Sequence, residues 1–400
     1  MQGLRASHRN ARHPFNFNDI LLLMSSPLVF TLFGSTGDLA QKKIKPALLA
    51  LYERNLLPKD FAIIAFSRRP WTHDDYRKFI SPAPKDFLER VIHVSGTFDN
   101  ADSYALLKNE IESLEERFGQ AQKLFYCAVQ PELQEQIIKG LGPTGLLKET
   151  NSRVLVEKPF GYDEASAKTL EKHFEKNISA NQLLRVDHYL AKEGLRALVI
   201  ERKAKPDFEK SLNSENVASV EIKILEKGGV AGRGPFYDRV GALRDCGQSH
   251  ILEMLATLLM DISAASENSA RTEALKKLEL FGQPIFAQYE GYLQEKGVAP
   301  DSNTETYFKF ELQSQDKRWV GVPFILESGK MQASAKSEII INFKNGGART
   351  FNIQDSPSGR HAYEILLAEA ILGDQAYFSS REEIFAAWRI IDPICQLKHF

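Results

Sequence analysis

From residue 28 to about residue 186, short apolar runs alternate with longer amphipathic stretches. The runs at 28–33, 61–66, 91–94, 124–129 and 154–156 are rich in β-branched and aromatic residues and read as strands. The longer stretches between them, such as 38–54, 101–118 and 164–176, read as helices. Strands that alternate with helices imply βαβ units and a parallel sheet. Strands with little polar alternation suit burial on both faces. The second half has a different rhythm. Residues 217–225, 307–312, 322–326, 338–343 and 350–353 read as strands, with few helices between the last four. That predicts a mostly antiparallel sheet, covered by helices at 246–259, 361–372 and 382–390. The change of pattern puts a boundary near residues 186–200.

Composition narrows the class. The 400 residues are 43% hydrophobic and 26% charged, as in ordinary globular proteins, and length suggests roughly two or three domains. With 51 basic and 52 acidic residues the chain lacks the basic excess of a general nucleic-acid binder, although a local basic pocket stays open. Cys127, Cys246 and Cys395 have neither disulfide-framework nor metal-site spacing, which points to reduced thiols in a cytoplasmic protein. Residues 1–19 carry Arg5, Arg9 and Arg12 and no acid before Asp19. The apolar stretch that follows is broken by Ser25, Ser26 and Pro27 and falls short of the ~18 apolar residues of a spanning helix. Residues 1–27 are therefore expected to be a dispensable extension, with an organellar transit peptide as the alternative, and no membrane partner is expected.

Four segments carry chemistry. The first strand runs into Gly34-Ser35-Thr36-Gly37-Asp38-Leu39-Ala40 and then a helix. Glycines there permit a tight turn, and a helix N-terminus offers free N–H groups to a phosphate. The spacing is G-x-x-G, and a plain strand–turn–helix is the alternative. The second strand ends in Phe66-Ser67-Arg68-Arg69, where an acid would hold the ribose hydroxyls of NAD. Arginine instead pairs with a 2′-phosphate, which favours NADP; two solvated surface arginines are the alternative. The third segment, Val156-Glu157-Lys158-Pro159-Phe160-Gly161, presents a lysine at a strand end. Beyond it, Arg185-Val186-Asp187-His188-Tyr189-Leu190-Ala191-Lys192-Glu193 crowds ionisable groups, of which His188, Tyr189 and Lys192 can donate to one phosphate. A glycine-rich loop from Glu226 to Asp238 then leads to Arg244-Asp245-Cys246-Gly247-Gln248-Ser249-His250. Asp245 and His250 are five apart, roughly 140° round an ideal α-helix, so they need not share a face.

These segments, in this order, resemble the glucose-6-phosphate dehydrogenase family, with its G-x-x-G-D-L-A, E-K-P-F-G, R-I-D-H-Y-L-G-K-E and G-R-G…R-D…Q-N-H motifs. Arg318-Trp319-Val320-Gly321-Val322-Pro323-Phe324 with Gly329-Lys330, and the later His361-Ala362-Tyr363-Glu364 and Ala386-Ala387-Trp388-Arg389, extend the resemblance to about residue 395. It implies an α/β Rossmann-type NADP domain at 28–190, followed by an α+β substrate domain at 191–400 with a large mostly antiparallel sheet. It also implies oxidation of D-glucose 6-phosphate to 6-phospho-D-glucono-1,5-lactone with NADP as hydride acceptor, the opening step of the oxidative pentose phosphate pathway. By resemblance, residues 34–40 and Lys43 hold the coenzyme phosphates and Arg68 its 2′-phosphate, while Lys158 lies between coenzyme and sugar. His188, Tyr189 and Lys192 match the sugar-phosphate residues, and Glu226, Asp245 and Lys330 match residues at the sugar. His250 matches the catalytic base and Asp187 its carboxylate partner. No metal is expected to take part.

The chain also departs from the family. Ala191 replaces a glycine, Ser249 an asparagine and Gln130 a proline; Ala335 stands where many members have arginine, so that Lys336 is expected to supply that charge. The segment from Lys330 to His361 and the C-terminus are both short, which predicts no second, structural coenzyme site and leaves a homodimer as an expectation. Two alternatives accompany this reading: a related sugar oxidoreductase with another substrate, and a non-catalytic NADP- or sugar-phosphate-binding homologue.

Overall fold

The computed structural model describes residues 26–230, 232–354 and 361–397. The expected N-terminal extension lies almost wholly outside the described residues.

The first half forms a six-stranded parallel sheet from β1 (Leu28–Phe33), β2 (Phe61–Ser67), β3 (Val91–Ser95), β4 (Gln122–Cys127), β5 (Ser152–Glu157) and β6 (Leu183–Val186), in the order β3-β2-β1-β4-β5-β6. Every residue of β1 and β2 is buried, as their unbroken apolar sequences require when helices cover both faces. Strand order reverses between β1 and β4, and in open parallel sheets ligands bind beyond the carboxyl ends at that point.

The second half adds β7 (Val217–Leu225), β8 (Leu278–Ala287), β9 (Tyr307–Ser314), β10 (Phe324–Gly329), β11 (Lys336–Phe343) and β12 (Ala348–Asn352). Their order is β12-β11-β7-β10-β9-β8, antiparallel except where β7 and β10 run parallel. Val220, Ile222 and Ile224 of β7 alternate inward and share a core with Phe308, Phe310, Leu326, Ile339 and Ile341. Each such side chain contributes about 1.5–3 kcal/mol when fully buried. The helix Ala362–Leu372 packs back against the helix Lys45–Glu53 of the first half. The C-terminal helix Arg381–Gln396 packs against both Glu164–Glu175 and the helical segment Leu243–Ile251.

Three of the differences from the sequence reading have a local physical cause. β8 is absent from it, because Gly282 (φ +72°) and Pro284 sit where the pairing register with β9 breaks, between Phe281 and Ile285. A proline is tolerated there because β8 is the edge strand. β10 begins at Phe324, two residues later than expected, because residues 319–322 close a turn in which the Val322 N–H donates to the Trp319 carbonyl (3.0 Å) and Gly321 takes φ +80°. The expected helix at 246–259 starts at Leu243, and its first nine residues, Leu243–Ile251, are π-helical.

Candidate functional site

A cleft of about 1100 Å³ opens between the carboxyl ends of the parallel sheet and the inner end of the second sheet. Its coenzyme-like end is built from the β1 turn. Gly34 has φ +72°, and a Cβ there would lie 2.6 Å from the Ala128 carbonyl oxygen and from Val129 Cγ1. Only glycine fits, which brings β1 and β4 together at the switch point. The Gly37 N–H donates to the Gly34 carbonyl (2.9 Å) and closes the turn. Thr36, Gly37, Asp38 and Leu39 line the cleft with Gly34. Ser35 faces inward: its hydroxyl donates to the Phe66 carbonyl (3.2 Å), and its own carbonyl accepts from Gln41 and Tyr76. Ala40 is fully buried, and Lys43 is exposed outside the cleft lining. Arg68 lines the cleft beside Ser67, whose hydroxyl is hydrogen-bonded to His93 Nε2 at 2.9 Å, while Arg69 packs over the Trp71 ring.

Lys158 follows β5 at a cis Lys158–Pro159 bond. Its ammonium donates to the Asp245 carbonyl (2.5 Å) and carboxylate (2.8 Å). Burial alone would lower the lysine's pKa, but the Asp245 carboxylate outweighs it and holds Lys158 above its usual range. In return, although burial pushes the other way, the Lys158 charge keeps Asp245 well below the usual carboxylate range.

At the foot of the cleft, Asp187 directly follows β6 and His250 sits in the π-helical segment. Asp187 Oδ1 lies 2.6 Å from His250 Nδ1 and also accepts the Tyr189 N–H at 2.9 Å. Burial lowers the His250 pKa, and the Asp187 charge only partly offsets this, so the ring is neutral at pH 7. The Tyr189 ring stacks on His250 (4.2 Å between centroids), and His188 meets His250 edge-on at 4.7 Å. Burial, reinforced by His250, also puts His188 well below its ordinary pKa. π-Helical geometry, with its i→i+5 bonds, answers the spacing problem at Asp245 and His250: residues five apart become neighbours on one face, and both line the cleft.

Of the other sequence candidates, Lys330 lines the cleft and pairs with Glu226 at 2.9 Å. Lys192 lies just outside the lining, its ammonium 3.7 Å above the Tyr189 ring. Lys336 pairs with Glu338 (3.4 Å) and lies outside the cleft lining. Ala191 is fully buried in the core and presents no methyl group to the cleft. Sequence reasoning missed the cleft residues Glu157, Phe98, Gln136, Arg233, Phe236 and Tyr363. Glu157, Arg233, Phe236 and Tyr363 sat inside motifs already singled out; Phe98 and Gln136 carried no signal. Burial pushes the Glu157 carboxyl up to about 7, against hydrogen bonds from Tyr126 and Tyr363. Asp187, His188 and His250 also present ligand-type atoms within 4.8 Å of one another, but Asp187 and His250 are already bonded together. Among the described residues, no helix is long and apolar enough to cross a membrane.

Comparison with known proteins agrees with this geometry. Residues 31–196 match the family described as glucose-6-phosphate dehydrogenase, NAD binding domain, and residues 199–359 and 350–399 match its C-terminal domain. The glucose-6-phosphate 1-dehydrogenase of Ceratitis capitata is 30% identical over 92% of this chain and 84% of its own. That of Bacillus subtilis is 29% identical over 92% and 91%. A solved glucose-6-phosphate dehydrogenase in complex with its substrate glucose-6-phosphate superposes with a TM-score of 0.87 at 27% identity, covering 94% of this chain and 92% of that one. A 3-ketoreductase from Actinomadura kijaniata shares the fold alone (TM-score 0.53, 14% identity, 92% and 97% covered). The chain belongs to the glucose-6-phosphate dehydrogenase family.

Proposed function

We propose that this chain oxidises C1 of D-glucose 6-phosphate to 6-phospho-D-glucono-1,5-lactone, with NADP as the hydride acceptor. The observation that carries the reading is the 2.6 Å Asp187–His250 bond, in the same cleft as the Gly34 turn. Oxidation at C1 requires a hydroxyl proton and a hydride to leave. Neutral His250, its Nδ1 engaged by Asp187, offers Nε2 to the hydroxyl proton, and the carboxylate stabilises the imidazolium that forms. Asp245 and Lys158 flank the sugar, and Lys330 with Glu226 closes its far side. His188, Tyr189 and Lys192 form the phosphate end, where remote binding energy orients the reacting carbon.

The coenzyme end fits a dinucleotide, because the Gly34 cradle excludes even a Cβ and the helix after residue 39 turns its N-terminus to the cleft. Arg68 is read as the partner of a 2′-phosphate, the basis for NADP over NAD. When bound, the nicotinamide supplies the hydride acceptor. The remaining parts of the reading are a division near residue 190, a homodimer, no second coenzyme site, no metal and no nucleic-acid partner. A cytoplasmic location is in keeping with three free cysteines.

The test is absorbance in the reduced-nicotinamide band, with glucose 6-phosphate and either NADP or NAD, and His250→Asn as control. Reduction of NADP that is lost in His250→Asn is the expected result. A folded protein that reduces neither coenzyme overturns the reading.

A further inference from the structure

We propose that Glu157 is a positioning residue: its carboxyl ties Tyr126 to Tyr363 and so fixes the plane of the His188 ring at the phosphate end of the cleft. The proposal rests on the reading of His188, Tyr189 and Lys192 as the phosphate site.

Glu157 is the last residue of β5, one position before Lys158. Its backbone is fixed twice: it pairs with Val186, the residue before Asp187, and its carbonyl accepts from the buried Gln134 amide at 2.8 Å. With the backbone held, the side chain reaches into the space between β4 and the helix Ala362–Leu372. There it accepts the hydroxyl of fully buried Tyr126 at 2.5 Å and a second hydrogen bond from Tyr363. Tyr126 belongs to the parallel sheet, whereas Tyr363 opens a helix that returns from the far end of the chain. One carboxyl therefore joins two segments more than two hundred residues apart in sequence.

The Tyr363 ring lies nearly parallel to His188, with 13° between planes and 5.9 Å between centroids. Among the described residues no hydrogen bond holds the His188 nitrogens, so its ring contacts orient it. These are Tyr363 on one face, with His250 and Tyr189 meeting it at steep angles. His250 and Tyr189 are fixed through Asp187, and Tyr363 is fixed through Glu157. Removing the carboxyl frees the Tyr363 face and lets the His188 ring tilt, while the Asp187–His250 pair keeps its own partners.

The experiment compares Glu157→Leu, Glu157→Gln and Tyr363→Phe in the full-length chain, with inorganic phosphate as a competitive probe of the phosphate end. Leucine removes both hydrogen bonds at similar volume. Glutamine restores them, since its oxygen accepts from one tyrosine and its amide donates to the other hydroxyl oxygen. Expected for Glu157→Leu is a rise of about threefold to tenfold in both the KM for glucose 6-phosphate and the Ki of phosphate, the size of a lost hydrogen bond. kcat and the KM for NADP should change less than threefold, Glu157→Gln should recover most of the loss, and Tyr363→Phe should reproduce it without adding to Glu157→Leu. A lower Tm with both constants unchanged makes Glu157 merely structural and overturns the proposal, as does a loss confined to kcat. If Glu157→Leu does not fold, Tyr363→Phe, which keeps the ring and loses only the hydroxyl, decides the matter alone. If phosphate does not compete with glucose 6-phosphate in the unaltered enzyme, and His188→Ala leaves KM unchanged, the phosphate assignment itself fails and takes this proposal with it.

Discussion

Asp187→Asn isolates the charge of the dyad from its geometry. Asp187 Oδ1 receives two donors, His250 Nδ1 at 2.6 Å and the Tyr189 N–H at 2.9 Å, whereas Oδ2 has no hydrogen-bond partner among the described residues. In the asparagine variant the Tyr189 N–H, which can only donate, selects the amide oxygen for the shared position and leaves the NH₂ group at the Oδ2 place. The oxygen that faces His250 then still accepts from Nδ1, so the tautomer with a free Nε2 is retained. What disappears is the charge assistance. A hydrogen bond to a charged group contributes about 1.5–3 kcal/mol, equivalent to roughly 10- to 150-fold in rate. The loss is expected in kcat more than in KM. Where the tautomer does flip, as with the corresponding asparagine in a serine protease, the cost is about 10⁴-fold. The same removal lowers the His250 pKa further, because the Asp187 charge is the largest influence holding it up. The acid limb of the kcat/KM profile should therefore move to lower pH. The assay is initial-rate kinetics from pH 5 to pH 9. A loss of less than threefold would refute the dyad, and one near 10⁴-fold would refute the argument that Tyr189 pins the amide.

Other perturbations follow from single contacts. Arg68→Ala should reduce kcat/KM with NADP by about 10- to 150-fold, the worth of charge-assisted hydrogen bonds to a phosphate, and leave the NAD reaction within a few-fold; equal losses with both coenzymes would remove Arg68 from the 2′-phosphate. Gly34→Ala places a methyl group 2.6 Å from the Ala128 carbonyl at φ +72°; a strain cost of about 1–3 kcal/mol should appear as a lower Tm and weaker coenzyme binding, measured by thermal melts and fluorescence titration. For Glu267, burial raises the carboxyl but the charge of Arg196 wins and holds it at about 2. Its stabilisation is complete above the ordinary carboxylate pKa and is lost as pH falls toward 2, about 3 kcal/mol in all. Denaturant melts from pH 7 down to pH 3 should show that slope in the parent chain and a shallower one in Glu267→Gln.

Strands were legible where the burial pattern is regular, unbroken along β1 and alternating along β7. β1 and β7 have the bounds their apolar patterns predict, because a one-residue slip would turn the buried face of β7 outward. β8 was invisible because an edge strand tolerates the glycine and proline that otherwise signal a loop. At the site, residues that announce their chemistry in sequence, Asp187, His188, Lys158 and His250, do converge on the cleft. Ser35 and Lys43 do not, for reasons local sequence cannot carry: Ser35 is turned inward by the Phe66 carbonyl, and Lys43 falls on the outer side of the first helical turn. Glu157 and Tyr363 went unnoticed because their importance lies in each other, two positions joined only by the packing of a late helix on an early sheet.

The π-helical segment Leu243–Ile251 holds one residue more than an ordinary helix needs to span the same ends. Loss of one codon there ahead of Asp245, at Arg244 for example, lets the segment close as a regular helix, with Leu252–Leu259 still turned to the core and Asp245 and His250 still five apart. The same loss carries Asp245 off the side that bears His250. Along this stretch a single in-frame deletion separates what selection on folding can see from what selection on turnover can see. A lineage that no longer needed the reaction would thus have a short mutational path to a folded protein that binds without converting.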